Sequence, residues 1–209
     1  MLSDLEKSLY NQDYLAICGF DEVGIGPLAG PVVAACCIVP PKTHLKDIDD
    51  SKKLTSQQRE QFFQKLQNNP NIAFGIGIIE PEMIDEINIH RAALLAMQHA
   101  LEDMPLKPDY ALIDGKFAPR LEIPHQVIIK GDGLITCIKA ASIIAKVTRD
   151  AILKEYHKLY PQYSFNNHKG YGTKKHLLAL QKHGPCPIHR RSYLPVKETH
   201  NLTALLSNI

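Results

Sequence analysis

LAICGFDEVGIGPLAGPVVAACCIV, residues 15–39, is the stretch on which the reading of the fold turns. It reads as an apolar strand that ends in two acids, Asp21 and Glu22. A turn rich in glycine and proline follows (Gly24, Gly26, Pro27, Gly30, Pro31), and then a second apolar strand. Two carboxylates at the end of a buried strand are costly unless a cation sits between them. The pattern suggests that the cation is a divalent metal and that the partner is a nucleic-acid backbone.

Working outward, the first strand is expected over Tyr14–Phe20 and the second over Gly30–Val39, stopped by Pro40-Pro41. Asp21 and Glu22 are consecutive, so strand geometry would point them to opposite faces. They are expected to converge only if the chain leaves strand geometry there, which Gly24 and Gly26 permit. Thr55 and Gln58 form a capping box that opens a helix with Phe62, Phe63 and Leu66 on its apolar side. A third strand is predicted over Ile72–Ile79, then one helix from Pro81 to about Met104. Tyr110–Ile113 and Gln126–Ile129 read as the fourth and fifth strands, closed by Asp114-Gly115 and by Lys130-Gly131-Asp132. A long helix, Leu134–Tyr160, is apolar on most sides in its first half and is expected to lie against the sheet. A further helix is predicted over Thr173–His183, and residues 1–13 read as a short helix or a loose end. This order predicts an α/β protein with a mixed sheet of five strands flanked by helices.

A chain of 209 residues, 44% of them apolar, is sized for one domain, or one with a small appendage, around an ordinary core. No apolar run approaches the ~18 residues of a membrane span, and the acidic start (Asp4, Glu6) does not suit a signal peptide. Five cysteines, an odd number, fit a reduced, cytoplasmic protein without a disulfide framework. The net charge of +2 is too small to announce a nucleic-acid binder. Its distribution says more: from Lys139 to His200 bases abound (Lys146, Arg149, Lys169, Arg190, Arg191), while acids are few. Many of these bases stand in Gly/Pro/His loops, which favours phosphate contact over a merely solvated face.

Four acids, Asp21, Glu22, Asp114 and Asp132, stand at strand ends. Any one of them alone beside glycine reads as a plain turn; together in one sheet they point to a metal centre. Oxygen-only ligation suits magnesium or manganese, and two such ions ~4 Å apart serve in-line phosphodiester hydrolysis. The glycines resemble a dinucleotide fingerprint only superficially, since Pro31–Ala35 reads as a strand where that motif needs a helix. His183, Cys186 and His189 leave structural zinc open as a minor alternative with only three ligands in evidence. Cys36 and Cys37 read as core residues.

The motifs DEVGIGPLAGPVVAA, DSKKLT, LIDG, KGD, AASIIAKVTRD, HKGYGT and HRRSY, in this order, resemble the bacterial ribonuclease HII family over roughly residues 15–193. The absence of a large N-terminal extension, and GPLAGP after the turn, favour type HII over HIII. The resemblance implies a ribonuclease H-like fold with a small helical C-terminal region. Residues 1–160 would form the catalytic core, and 161–209 would complete the substrate groove within a single functional domain. It also implies an endonuclease acting on RNA–DNA hybrids and 5′ of single ribonucleotides embedded in duplex DNA, leaving 3′-hydroxyl and 5′-phosphate ends. Asp21, Glu22, Asp114 and Asp132 match the family's metal-binding acids, for two Mg2+ or Mn2+ ions. Tyr171 matches the tyrosine that stacks on the sugar after the ribonucleotide. Substrate contacts are expected at Gly24, Ile25, Gly26, Ser51, Lys52, Lys53, Lys146, Lys169 and Tyr171.

One departure stands out. The family usually carries Gly-Arg-Gly after its Asp-Glu pair, and its backbone there reads the ribose 2′-hydroxyl. This chain has Gly24-Ile25-Gly26. Backbone recognition survives an isoleucine whose φ need not be positive; the arginine's phosphate contact does not. Losing one charge-assisted contact costs about 1.5–3 kcal/mol, which Lys52 and Lys53 would partly compensate. The alternative from a different class is therefore a catalytically weakened hybrid-binding protein. A monomer is expected, with a part in removing ribonucleotides and primer RNA.

Overall fold

The apolar runs on either side of the turn, Ile17–Val23 (β1) and Val32–Ile38 (β2), pair antiparallel, with Phe20 opposite Cys36 and Asp21 opposite Ala35. The structure, a computed structural model, describes residues 2–43, 45, 51 and 54–199. Lys52 and Lys53, and the end of the 161–209 region from residue 200, lie outside the described residues. Every residue of β2 is buried, as expected of a strand covered on both faces. Tyr110–Asp114 (β4) runs parallel to β1, and His125–Ile128 (β5) runs parallel to β4. With Ala73–Ile79 (β3), the described residues form a mixed sheet of five strands in the order β3-β2-β1-β4-β5.

The boundaries of β1 differ from the sequence expectation at both ends, each for a physical reason. It starts at Ile17 because the Asp109 carboxylate takes the N–H groups of Leu15 (2.7 Å) and Ala16 (3.0 Å) ahead of it. It continues through Asp21 and Glu22 to Val23, because the ladder to Ala35, Ala34 and Val33 is unbroken. The chain therefore keeps strand geometry at the acid pair, contrary to expectation.

Among the helices, Asp4–Tyr10 (α1) resolves the ambiguous N-terminus: Ser3 and Glu6 close a capping box. Ser56–Gln67 (α2) starts at the Thr55–Gln58 box as read from sequence. The single helix expected after Pro81 is two, Pro81–Ile87 (α3) and Ile89–Glu102 (α4). They part at Asn88, whose φ is +68° and whose side chain accepts the N–H groups of His90 (3.1 Å) and Arg91 (3.2 Å). With ψ at 161° the residue leaves helical geometry, and its side chain caps the next helix, so it both breaks and restarts the helix. The long helix begins at Thr136 and ends at Leu159 (α5). Asp132 does not close a strand; it rides on a short 3-10 turn, Gly131–Gly133, between β5 and α5.

The chain packs as two compact units. The first comprises Met1–Val23, Val33–Ile78 and Ala93–Val147 and holds the sheet; the second comprises Gly24–Val32, Ile79–Ala92 and Thr148–Ile209. In the first, a Cβ at Gly19 would collide with the backbone of Cys137 and Ile138, so glycine lets the start of α5 lie directly on β1. In the second, short helices Phe165–His168 (α6), Lys174–His183 (α7) and Leu194–Lys197 (α8) surround a core that includes Leu28, Leu153, Phe165 and Leu180. All five cysteines are buried free thiols. No described helix is long and apolar enough to cross a membrane.

Glu6 ties the N-terminus to α5. Its buried carboxylate accepts Ser3 N–H (2.7 Å) in the capping box and also the N–H groups of Thr136 (3.1 Å) and Cys137 (3.0 Å), the first donors of α5. A negative group there satisfies orphan donors and meets the positive end of the helix dipole. Glu6→Gln turns an amide NH2 toward N–H donors and forfeits charge-assisted bonds, an expected loss of about 1.5–3 kcal/mol. Thermal melting should report this as a drop of roughly 5–10 °C; an unchanged Tm would contradict the assignment.

Candidate active site

Parallel pairing puts the C-terminal ends of β1 and β4 side by side, with Phe20 in register with Ile113. The residues that follow, Asp21 and Asp114, are thus neighbours by strand register. Asp132 reaches them from the 3-10 turn, which is pinned in place by a 2.6 Å hydrogen bond from the Gly131 N–H to Asp114 Oδ1. One carboxylate oxygen each from Asp21, Asp114 and Asp132 lies within 4.8 Å of the others. Glu22, the next residue of β1, is half-buried and lies outside that 4.8 Å group, yet its charge is close enough to act on Asp21.

This arrangement is electrostatically expensive. At about 5 Å and an effective dielectric of about 20, each pair of carboxylates repels by roughly 3 kcal/mol. Three ionised pairs would together approach the net stability of a whole domain, about 5–15 kcal/mol. Burial, then the charges of Glu22 and Asp114, push the Asp21 carboxyl well above the usual carboxylate range. A hydrogen bond with Ser142 and the Glu22 N–H (2.8 Å) act in the opposite sense, holding the ionised form in place. Ser142 is itself held by Ser51, hydroxyl to hydroxyl at 2.8 Å. A largely buried set of hard oxygen donors with excess negative charge fits a divalent cation such as magnesium or manganese.

The second unit carries the glycine turn. Gly24 has φ +104°, and a Cβ there would collide with the Arg149 side chain, so the position requires glycine. Ile25 is not among the residues of positive φ, so its side chain imposes no backbone strain on the turn. The Gly24 and Ile25 carbonyls accept hydrogen bonds from Arg190 at 2.6 and 3.0 Å, and Tyr193 donates its hydroxyl to Ile25 at 2.6 Å. Arg149 donates to the carbonyls of Pro31 (2.9 Å), Lys169 (3.0 Å) and Ala29 (3.1 Å), joining the turn to the HKGYG loop. A Cβ added to Gly26 would stand 3.6 Å from Tyr171 Cε1, so this unit brings those two expected substrate contacts together.

Arg149 and Arg190 correct the charge reading made from sequence. Both are fully buried and face backbone carbonyls, not phosphate. Burial, then the neighbouring Arg190 charge, pull Arg149 down to about 10, which leaves it protonated at neutral pH. Ser51 is also buried, its hydroxyl engaged with Ser142. Lys146 and Lys169 are half-buried, and the Lys169 ammonium donates to the Asn166 carbonyl at 2.7 Å. Tyr171 is 44% exposed. Among the described residues, the Asp21–Asp114–Asp132 cluster is the one group of three or more such side chains that could hold a metal. His183, Cys186 and His189 form no such group, and structural zinc is set aside. Sequence reasoning missed Ser142, whose signal was a lone hydroxyl inside the apolar run AASIIA, and the two inward-facing arginines, which nothing in the periodicity marked.

The ribonuclease HII family model matches residues 18–196. The chain belongs to the ribonuclease HII family. A curated ribonuclease HII from Desulfitobacterium hafniense (strain DSM 10664 / DCB-2) is 51% identical over 193 residues, covering 92% of this chain and 74% of that protein. The crystal structure of ribonuclease H2 from Pyrococcus horikoshii OT3 superposes with a TM-score of 0.74 at 26% identity, covering 88% of this chain and 97% of that one. Bst-RNase HIII in complex with Mn2+ shares the fold at a TM-score of 0.69 and 14% identity, covering 94% of this chain and 71% of that one. The ribonuclease H-like fold expected from sequence is therefore the observed one. As a member of this family the chain is an enzyme, an endoribonuclease acting on RNA–DNA hybrids.

The raised Asp21 pKa has a sign that can be tested. Because the folded value lies above the unfolded one, ionising Asp21 costs stability as pH rises through the folded value. Millimolar Mg2+ or Mn2+ should raise the Tm at neutral pH. Asp21→Asn should melt higher than the parent in EDTA and lose most of the metal-dependent rise. A parent Tm that ignores metal would contradict the reading of the cluster.

Proposed function

We propose that the chain cleaves the phosphodiester bond on the 5′ side of a ribonucleotide, in RNA–DNA hybrids and at single ribonucleotides embedded in duplex DNA, leaving 3′-hydroxyl and 5′-phosphate ends. The observation that carries this reading is the convergence of Asp21, Asp114 and Asp132 within 4.8 Å. These three carboxylates, with Glu22 beside them, would hold magnesium or manganese, two ions during catalysis. When bound, such cations activate a water nucleophile and neutralise charge on the departing 3′-oxygen. The protein's own part is to keep the carboxylates ionised and fixed: Ser142 and the Glu22 N–H hold Asp21, and the Gly131 N–H holds Asp114.

Recognition is assigned to the second unit's glycine turn and Tyr171 loop, together with lysines of both units. The Gly24-Ile25-Gly26 backbone would approach the ribose, and Tyr171 would stack on the next sugar. Lys146 and Lys169, with Lys52 and Lys53, would contact phosphates, and residues 161–209 would contribute to binding the same substrate. Ser51 is reassigned from substrate contact to support of Ser142, because its hydroxyl is already engaged there. Ile25 supplies no charge, so affinity rests on the backbone and the lysines. The protein would act as a monomer in the cytoplasm, removing ribonucleotides and primer RNA.

Incubation with duplex DNA carrying one ribonucleotide should give a single nick 5′ of it with Mg2+ or Mn2+ and none with EDTA. Asp21→Asn, Asp114→Asn and Asp132→Asn should each abolish the nick while the duplex is still bound. Binding by the unaltered protein without metal-dependent cleavage would instead support the weakened hybrid-binding alternative.

A further inference from the structure

Three histidines that the proposed chemistry does not use lie packed together, one of them at the Tyr171 carbonyl. His176 and His189 are fully buried among the rings of Tyr163 and Phe165, and His168 stacks on His176 at 4.5 Å and 13°. Their hydrogen bonds can be followed from one end. The Cys186 N–H can only donate, and it lies 3.0 Å from His189 Nδ1. That nitrogen therefore carries no proton. The Cys186 thiol, at 3.1 Å, meets the same lone pair, and the Cys186 carbonyl at 3.3 Å is the longer contact. A neutral His189 then holds its proton on Nε2, which faces His176 Nε2 at 3.0 Å. His176 Nε2 accepts, so the His176 proton sits on Nδ1, 3.0 Å from the Tyr171 carbonyl oxygen, which can only accept. The reverse assignment would set Nδ1–H against the Cys186 N–H and a lone pair against the Tyr171 carbonyl.

We propose that His189 and His176 form a neutral, one-directional hydrogen-bond relay that positions Tyr171, making both of them positioning residues for substrate recognition. The proposal rests on the reading that Tyr171 contacts the substrate. Tyr171 sits between Gly170 and Gly172, so neighbouring side chains do little to fix it. Its peptide is gripped at both ends instead. Its N–H donates to the His168 carbonyl (2.9 Å), and its own carbonyl accepts from the Thr173 N–H (2.8 Å) and from His176. His168 is itself oriented, Nε2 toward the Tyr163 carbonyl (2.7 Å) and Nδ1 accepting the Gly170 N–H (3.2 Å).

The surroundings keep the rings neutral. Burial first, then the adjacent His168, bring His176 down to about 4. Burial, then His176, bring His189 down to about 3, with Arg191 and His168 acting in the same sense. Burial first, then the charges of Lys175, Lys169 and His157, likewise oppose the protonation of His168.

Two measurements on the full chain test this independently. Long-range 1H–15N NMR of 15N-histidine-labelled protein at pH 7 should show His176 as the Nδ1–H tautomer and His189 as the Nε2–H tautomer. An imidazolium at either position, or His189 protonated at Nδ1, would overturn the relay whatever the enzyme's activity. In kinetics on the single-ribonucleotide duplex, His176→Leu should raise KM about tenfold with kcat within about twofold, the size expected for one lost hydrogen bond. His176→Asn, whose amide nitrogen stands where Nδ1 stands, should hold KM within about threefold of the parent. A parent-like KM in His176→Leu, or a loss confined to kcat, would refute positioning. If His176→Leu does not fold, the NMR result decides. A parent-like KM in Tyr171→Ala would overturn the substrate role of Tyr171 and with it the recognition half of the proposal, while the tautomer measurement still decides the relay.

Discussion

Mutual repulsion among Asp21, Asp114 and Asp132 is the constraint that the first unit is built to withstand. Left to themselves, carboxylates this close would take up protons or move apart. The strand register prevents the second: β1 and β4 are parallel neighbours deep in the sheet, and neither end can swing without breaking a ladder. The third acid is mounted on a turn that is itself hydrogen-bonded to the second, through the Gly131 N–H and Asp114. Behind that turn, α5 is fixed by the Glu6 carboxylate at its first N–H groups and by the bare backbone of Gly19 beneath it. The fold thus supplies rigidity where the charges supply strain, and a divalent cation is the natural compensation.

The second unit meets the opposite problem with a similar device. Its glycine turn is anchored in the core by Leu28 and Ala29, but much of the turn and of the HKGYG loop is backbone with little side chain to pack. Arg149 and Arg190 are drawn inside to bind five of the turn's carbonyls and that of Lys169. Burying a guanidinium is costly unless its N–H groups find acceptors; here carbonyls take three bonds from Arg149 and four from Arg190, which gives a fifth to the Tyr193 hydroxyl. The histidines that hold the Tyr171 carbonyl serve the same end without charge, since burial keeps them neutral. Backbone geometry, more than side-chain identity, is what these contacts preserve, which is why Ile25 fits the turn without strain.

The sheet and the positions of Asp21 and Asp114 were legible in the sequence because apolar runs that lead into an acid are local signals, whereas Asp132 sits on a turn beyond β5. The capping boxes at Ser3 and Thr55 differ instructively: the second sits before a clear amphipathic run, while the first opens a polar segment whose partner, α5, lies far along the chain. Where β1 begins depended on Asp109, a residue distant in sequence. The two-helix break at Asn88 needed a positive φ that no periodicity reports. Ser142 and the inward arginines were illegible for the same reason: their partners are backbone groups or distant side chains. The motifs shared with the ribonuclease HII family located Tyr171, but the histidines that hold its carbonyl are visible only in three dimensions.

The central claim is that Asp21, Asp114 and Asp132 exist to bind a divalent cation. Anomalous diffraction from crystals grown with Mn2+ tests it most directly. A manganese peak bonded to oxygens of these three carboxylates is the result expected. Well-ordered crystals with no peak among the three acids, or with manganese bound only elsewhere, would contradict it.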